Sequence, residues 1–153
     1  MVCPDVYIYA SAKQWDGVAR MRLLMRERKI SKPPGWSSIE AVGQTHTFFA
    51  FDKSHPSSDE IYNFLKELEE TMRAHGYVPE TKSVLVNLDE EEKEDLLCGH
   101  SERLAIAFGI MNTKEGEVLR VIKNLRVCVD CHTAAKFISR IVTRNDTLHK
   151  NAI

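Results

Sequence analysis

Apolar positions along the chain keep a helical period in some stretches and a strand period in others, and the switches outline the elements. Val6 to Ala12 reads as the end of a helix. Asp16 is placed to cap a second one, with Trp15 before it as a staple, and Val18, Met21, Leu24 and Met25 follow at helical spacing. Ser31-Lys32-Pro33-Pro34-Gly35 stops that helix and makes a linker. Trp36 to Val42 and Thr45 to Phe51 read as two strands of a hairpin around Gly43-Gln44. Within the second strand His46, Phe48 and Ala50 alternate with Thr47, Phe49 and Phe51, so the phenylalanines are read as core rather than as platforms for bases. Ser57-Ser58-Asp59-Glu60 has the form of a capping box. The helix behind it carries Ile61, Leu65, Leu68 and Met72, and Gly76 lies where a helix-ending glycine belongs.

The second half continues with a predicted strand over Ser83 to Leu88. The acidic run Asp89 to Asp95 then reads as a solvated first helical turn, with its acids near the positive end of the helix. Leu104 to Phe108 predicts a buried helix, Val118 to Ile122 a strand, and Thr133 to Ile138 a last helix.

Composition narrows the class. The 153 residues suit one compact domain with an N-terminal appendage. Four cysteines are too few for a disulfide scaffold, and two of them sit in C-x-x-C, so reduced thiols and a metal are the simpler reading. No apolar run is long enough to span a bilayer. No secretory signal or transit peptide is visible, and the chain opens abruptly at Met1-Val2-Cys3-Pro4, as a piece of a longer one would. The net charge of −1 is unevenly spread: residues 1–51 carry +3, residues 52–100 carry −8 and residues 101–153 carry +4. The last stretch is the one a phosphate-bearing substrate would favour. The arginines between Arg20 and Arg28 are read as a solvated face.

The candidate chemistry lies in that basic stretch. His100-Ser101-Glu102 reads H-x-E and Cys128-Val129-Asp130-Cys131 reads C-x-x-C. One imidazole and two thiolates are the zinc ligands of nucleobase deaminases, in which a glutamate that is not a ligand moves protons. Three protein ligands leave a fourth tetrahedral position for water, and the metal lowers the pKa of that water toward neutrality. Glu102, two residues after His100 at a helix start, is placed to accept the proton. Each motif alone is weak. Together, each opening a predicted helix with a strand between, they favour a catalytic zinc over a closed structural one, which needs no acidic neighbour. Asn124 is placed to hydrogen-bond something near the metal, as a substrate would require. Cys98 is read as buried, and His46 and His55 as structural or exposed, with no partner of metal spacing beside them.

Several stretches carry a more specific signal. They are Pro33-Pro34-Gly35-Trp36-Ser37-Ser38-Ile39-Glu40, Ser54-His55-Pro56, Gly76-Tyr77-Val78-Pro79, the run from His100 to Gly109, and the run from Asn124 to His132. In that order they resemble the PG box and DYW domain of plant pentatricopeptide-repeat RNA-editing proteins. The resemblance divides the chain into a helical region over 1–32, similar to part of the family's E motifs, and a DYW domain over 33–153. It implies an α/β, cytidine-deaminase-like sheet flanked by helices, behind an N-terminal helical appendage and a hairpin. It implies C-to-U editing of single-stranded RNA in mitochondria or chloroplasts. The zinc would be held by His100, Cys128 and Cys131, with Glu102 as the proton shuttle. Family members bind a second, structural zinc with their tail. Here His132 and His149 match part of that element, but no C-x-C accompanies them, so the second zinc is incomplete, absent or completed by another chain.

The expected activity is therefore zinc-dependent deamination of cytidine in RNA. Target selection would rest on a repeat tract in the same longer chain or in a partner, and other editing factors are further expected partners. Two other classes remain open on the residues. One is a catalytically inactive, zinc-stabilised module that recruits an editing deaminase. The other is a C-x-x-C redox protein, which would have no need of His100.

Overall fold

The structure, a computed structural model, describes residues 4–31 and 33–143. Lys32, His149 and Cys3, all named above, lie outside the described residues.

The fold is mixed α/β: a three-stranded antiparallel sheet with six α-helices among the described residues. Helices α1 (Pro4–Ser11) and α2 (Trp15–Glu27) pack on each other as an N-terminal pair. Helix α2 opens two residues earlier than predicted. Gln14 is its N-cap and Trp15 its first residue, so Asp16 lies in the first turn, where its charge suits the helix dipole, rather than at the cap.

Strands β1 (Trp36–Ala41) and β2 (Gln44–Phe49) form the hairpin, with Ala41 opposite Gln44. The turn is Val42-Gly43, one residue earlier than predicted. Both residues have positive φ, 54° and 72°. A two-residue turn of this hand needs φ > 0 at both central positions and takes its glycine second, which draws Val42 out of the strand. Phe48 is buried, but Phe49 and Phe51 are exposed, so the predicted core role holds for Phe48 alone. Phe51 has left the strand at φ 59°.

Helix α3 (Ser58–Ala74) buries Ile61, Phe64, Leu65, Leu68 and Met72 along one face. It ends at Gly76, whose φ of 88° is the left-handed turn expected there. Its predicted capping box does not form: Ser57 is the N-cap but makes no side-chain cap hydrogen bond. The stretch from Ser83 to Leu88 is not a strand. Glu80 accepts a hydrogen bond from the Lys82 N–H and winds Thr81–Ser83 into a 3₁₀ turn, and the residues after it pair with no strand. A capping box does form at α4 (Glu90–Cys98), between Asp89 and Glu92.

Helix α5 (Ser101–Asn112) is the centre of the molecule. It packs on the sheet on one side and on α3 on the other, so Ser101 to Ala105 and Ala107 to Ile110 are all buried. Gly109 permits the approach, since a Cβ there would lie 2.4 Å from Ile39 Cδ1. Strand β3 (Val121–Lys123) is shorter than the predicted Val118–Ile122 and begins later, because it pairs only with Ser37–Ile39 of β1, and Val118 stays exposed. It completes the order β2-β1-β3. Helix α6 (Val129–Thr143) packs back on α3.

Candidate metal centre

Two helix starts meet at one place. His100 is the N-cap of α5, with extended backbone at φ −65°, ψ 140°. Its carbonyl accepts hydrogen bonds from the Arg103 and Leu104 N–H groups, while its imidazole makes no cap hydrogen bond and so is available for another task. Cys128 directly precedes α6, and Cys131 lies in that helix's first turn. The Cys131 N–H donates to Cys128 Sγ at 3.3 Å, which folds the C-x-x-C around its two sulfurs.

His100 Nδ1 lies 3.6 Å from Cys128 Sγ and 3.4 Å from Cys131 Sγ. A tetrahedral zinc with Zn–S of about 2.3 Å and Zn–N of about 2.0–2.1 Å places such atoms about 3.6 Å apart. The donor set therefore fits that ion in atom type and spacing. The two thiols are also electrostatically unlike. Hydrogen bonding with Cys131, then with His100, brings Cys128 down to about 4 against its burial. Hydrogen bonding with Cys128, together with burial, pushes Cys131 up. The shift favours ionisation of Cys128, and the thiolate is the form that binds metal.

Glu102 completes the group. One ligand atom from each of His100, Glu102, Cys128 and Cys131 lies within 4.8 Å of the others. Among the described residues this is the one such group of three or more. His100 and Cys128 are half-buried, whereas Glu102 and Cys131 are buried. Glu102 forms an ion pair with Lys123 Nζ through Oε1, and Ser101 Oγ donates to Oε2 at 3.3 Å. Ser37 Oγ lies 2.9 Å from Ser101 Oγ. Either hydroxyl can be the donor in that bond.

Behind the centre, a buried network joins the two helix starts. Arg103 Nη2 donates to Asp130 Oδ2 at 2.5 Å and to the Tyr77 hydroxyl at 2.5 Å. Tyr77 Oη donates to Asp130 Oδ1 at 2.6 Å, and the Glu80 N–H donates to the same oxygen at 2.9 Å. Burial alone would lower the guanidinium's pKa, but Tyr77 and Asp130 outweigh it and hold Arg103 up. Burial raises the Tyr77 phenol. Asp130 stands between the two cysteines and Arg103 stands beside Glu102, so this clamp sets how far apart the two motifs lie.

The sequence-predicted residues fall out as follows. His100, Glu102, Cys128 and Cys131 come together. Asn124 accepts a hydrogen bond from the Trp36 N–H at 2.9 Å and donates to the Pro34 carbonyl at 3.0 Å, so its amide fastens the end of β3 to the chain entering β1. His132 is exposed. His46 and His55 are partners of each other: the Ser57 N–H donates to His55 Nδ1 at 3.1 Å, so His55 Nε2 is the donor to His46 Nδ1, also at 3.1 Å. Cys98 is half-buried and donates to Glu69 Oε2 at 2.6 Å.

Lys123 was missed by sequence reasoning, as were Tyr77 and Arg103 as supports. A signal for Lys123 was available: in strand parity it faces the same way as Val121, inward, while Ile122 faces out.

Comparisons with known proteins give the family. The family model for the DYW family of nucleic acid deaminases matches residues 76–152, and that for the E+ motif matches residues 45–72. The chain is 56% identical over 137 residues to the Arabidopsis thaliana pentatricopeptide repeat-containing protein At3g57430, chloroplastic, covering 90% of this chain and 15% of that protein. It is 52% identical over 137 residues to the chloroplastic protein ELI1 of the same plant, covering 90% and 22%. It is 51% identical over 138 residues to the mitochondrial protein At3g26782, covering 90% and 21%. The chain thus spans about a fifth or less of the length of the relatives it matches.

Proposed function

This chain belongs to the DYW family of nucleic acid deaminases, and we propose that it hydrolyses cytidine to uridine and ammonia in single-stranded RNA. The observation that carries the proposal is the convergence of His100, Glu102, Cys128 and Cys131 to within 4.8 Å. His100, Cys128 and Cys131 are the residues that would hold a zinc ion, which when bound supplies the Lewis acidity that makes water a nucleophile at neutral pH. Glu102 takes up one proton of the water and gives it to N3 of the pyrimidine ring, where it stays, then carries the remaining hydroxyl proton to the amine, which departs as ammonia. Its burial favours this role, since a proton held there is shielded from exchange with solvent. The base must leave its stack to reach the buried carboxylate, which unpaired RNA allows at small cost.

The relatives are named as pentatricopeptide repeat-containing proteins. On this reading residues 1–32 join a repeat tract, in the same longer chain or in a partner, to the deaminase unit over 33–153, and the repeats choose the cytidine. The organelle is a chloroplast or a mitochondrion, in keeping with the names of the relatives. Among the described residues no helix is long and apolar enough to cross a membrane.

The test joins the chain to a repeat tract with a known RNA target and compares it with Glu102→Ala. The enzyme reading expects about one zinc per chain in both and uridine only in the unsubstituted protein. Equal conversion by both would refute a catalytic Glu102 and leave the recruiting-module reading. A count near two zinc ions per chain would assign His132 and His149 to a second site.

A further inference from the structure

Lys123 lies outside the ligand set but inside the site. Strand β3 pairs with β1 so that Lys123 stands opposite Ser37. Ser37 is fully buried and bonds to Ser101, and Ser101 bonds to Glu102. The sheet therefore reaches the carboxylate by two routes, one through the serines and one through the lysine. The Lys123 side chain is 14% exposed and that of Glu102 is 5% exposed.

The two oxygens of Glu102 are held unequally. Oε1 is ion-paired with the Lys123 ammonium in a site largely closed to water, where charges are screened far less than at the surface. Oε2 has the Ser101 hydroxyl at 3.3 Å, beyond the usual range for a hydroxyl donor. A proton carrier needs one oxygen fixed, so that the group keeps its direction, and one oxygen free to bind and release hydrogen. The carboxylate also lies within 4.8 Å of two cysteine sulfurs, where a bare negative charge would be repelled.

We propose that Lys123 is the positioning residue of Glu102: its ammonium anchors Oε1 and leaves Oε2 as the oxygen that accepts and returns the proton. This rests on the deaminase reading above. Without the lysine the carboxylate would turn toward solvent or swing about its side-chain torsions, and protons would be taken up in the wrong direction. Binding of the RNA would be little changed, because Lys123 uses its charge on Glu102 and not on phosphate.

The test uses the metal-loaded protein with its repeat tract and the variants Lys123→Met and Lys123→Arg. Methionine keeps the aliphatic stem of an edge-strand residue, and the zinc count reports whether the centre still assembles. Positioning of a general acid–base group predicts a kcat lower by about 10–100-fold in Lys123→Met, less than the roughly 10²–10⁴-fold that such a group contributes itself, because Glu102 is still present. KM should change less than about threefold, and arginine should restore most of the rate. A second readout is independent of turnover. The Lys123 ammonium protons should exchange slowly with water in a nitrogen-15 spectrum and should lose that protection in Glu102→Gln. A raised KM with unchanged kcat would make Lys123 a substrate contact and overturn the proposal, as would an ammonium signal unaffected by Glu102→Gln. Absence of conversion by the unsubstituted protein would instead sink the deaminase reading itself, and the ammonium signal would still decide whether Lys123 holds Glu102.

Discussion

Single residues here differ in whether their chemistry is set by neighbours in sequence or in space. The four convergent side chains were legible because a ligand set at a helix start obeys local spacing: Glu102 must follow His100 by two, and Cys131 must follow Cys128 by three. Lys123 was not, because a lone lysine in a short strand has no spacing to give it away and owes its role to the carboxylate across the sheet. Asn124 is a contrasting case. Its nearness in sequence to Cys128 suggested a substrate contact, whereas its amide is engaged with Pro34 and Trp36. Cys98 yields a prediction at this scale. Burial, then the hydrogen bond to Glu69, pushes its thiol up to about 12. A thiol harder to ionise in the folded than in the unfolded chain contributes stability that is complete below the ordinary thiol pKa of about 8.5 and is lost as pH rises toward the folded value. The urea midpoint should therefore fall between pH 9 and 11, by at most about 1.4 kcal/mol per pH unit from this group, and Cys98→Ala should flatten that part of the profile.

Among the elements, long amphipathic helices were read correctly and their ends were not. Ile61, Leu65, Leu68 and Met72 fix the buried face of α3 whatever its first residue. Caps depend on single side-chain torsions, which sequence does not specify. Ser57 has the right neighbours for a capping box and makes no cap hydrogen bond, while Asp89 and Glu92 do form one. Asp89→Ala should therefore cost about 1 kcal/mol and Ser57→Ala only a few tenths, to be compared in urea unfolding of the same metal-loaded protein. Strands were misjudged for a different reason. Val84 to Leu88 and Val118 to Leu119 are apolar enough for a sheet, but a strand also needs a partner edge in register, and β1 offers β3 only three positions.

For the molecule as a whole, the consequential feature is the clamp of Tyr77, Arg103 and Asp130, whose members come from widely separated stretches of chain. Removing one partner of a buried ion pair leaves the other charge uncompensated. Asp130→Ala should accordingly destabilise the fold by about 3–5 kcal/mol. Tyr77→Phe, which deletes one hydroxyl, should cost about 1–3 kcal/mol. Denaturant titration reads both. Because the clamp spaces the two motifs, metal affinity measured by chelator competition should fall in the same order, with Asp130→Ala weakest.

The amino-acid sequence by itself determined the helix faces, the hairpin, and the types and order of the four convergent side chains, because each depends on contacts within a few residues or on chemistry that only certain side chains possess. Tertiary structure alone decided which strand pairs with which, that His46 and His55 share a proton, that Arg103 and Asp130 neutralise each other out of water, and that Lys123 meets Glu102. These are encounters between groups far apart along the chain. Their energies come from burial and register, which exist only once α5 is enclosed between the sheet and α3.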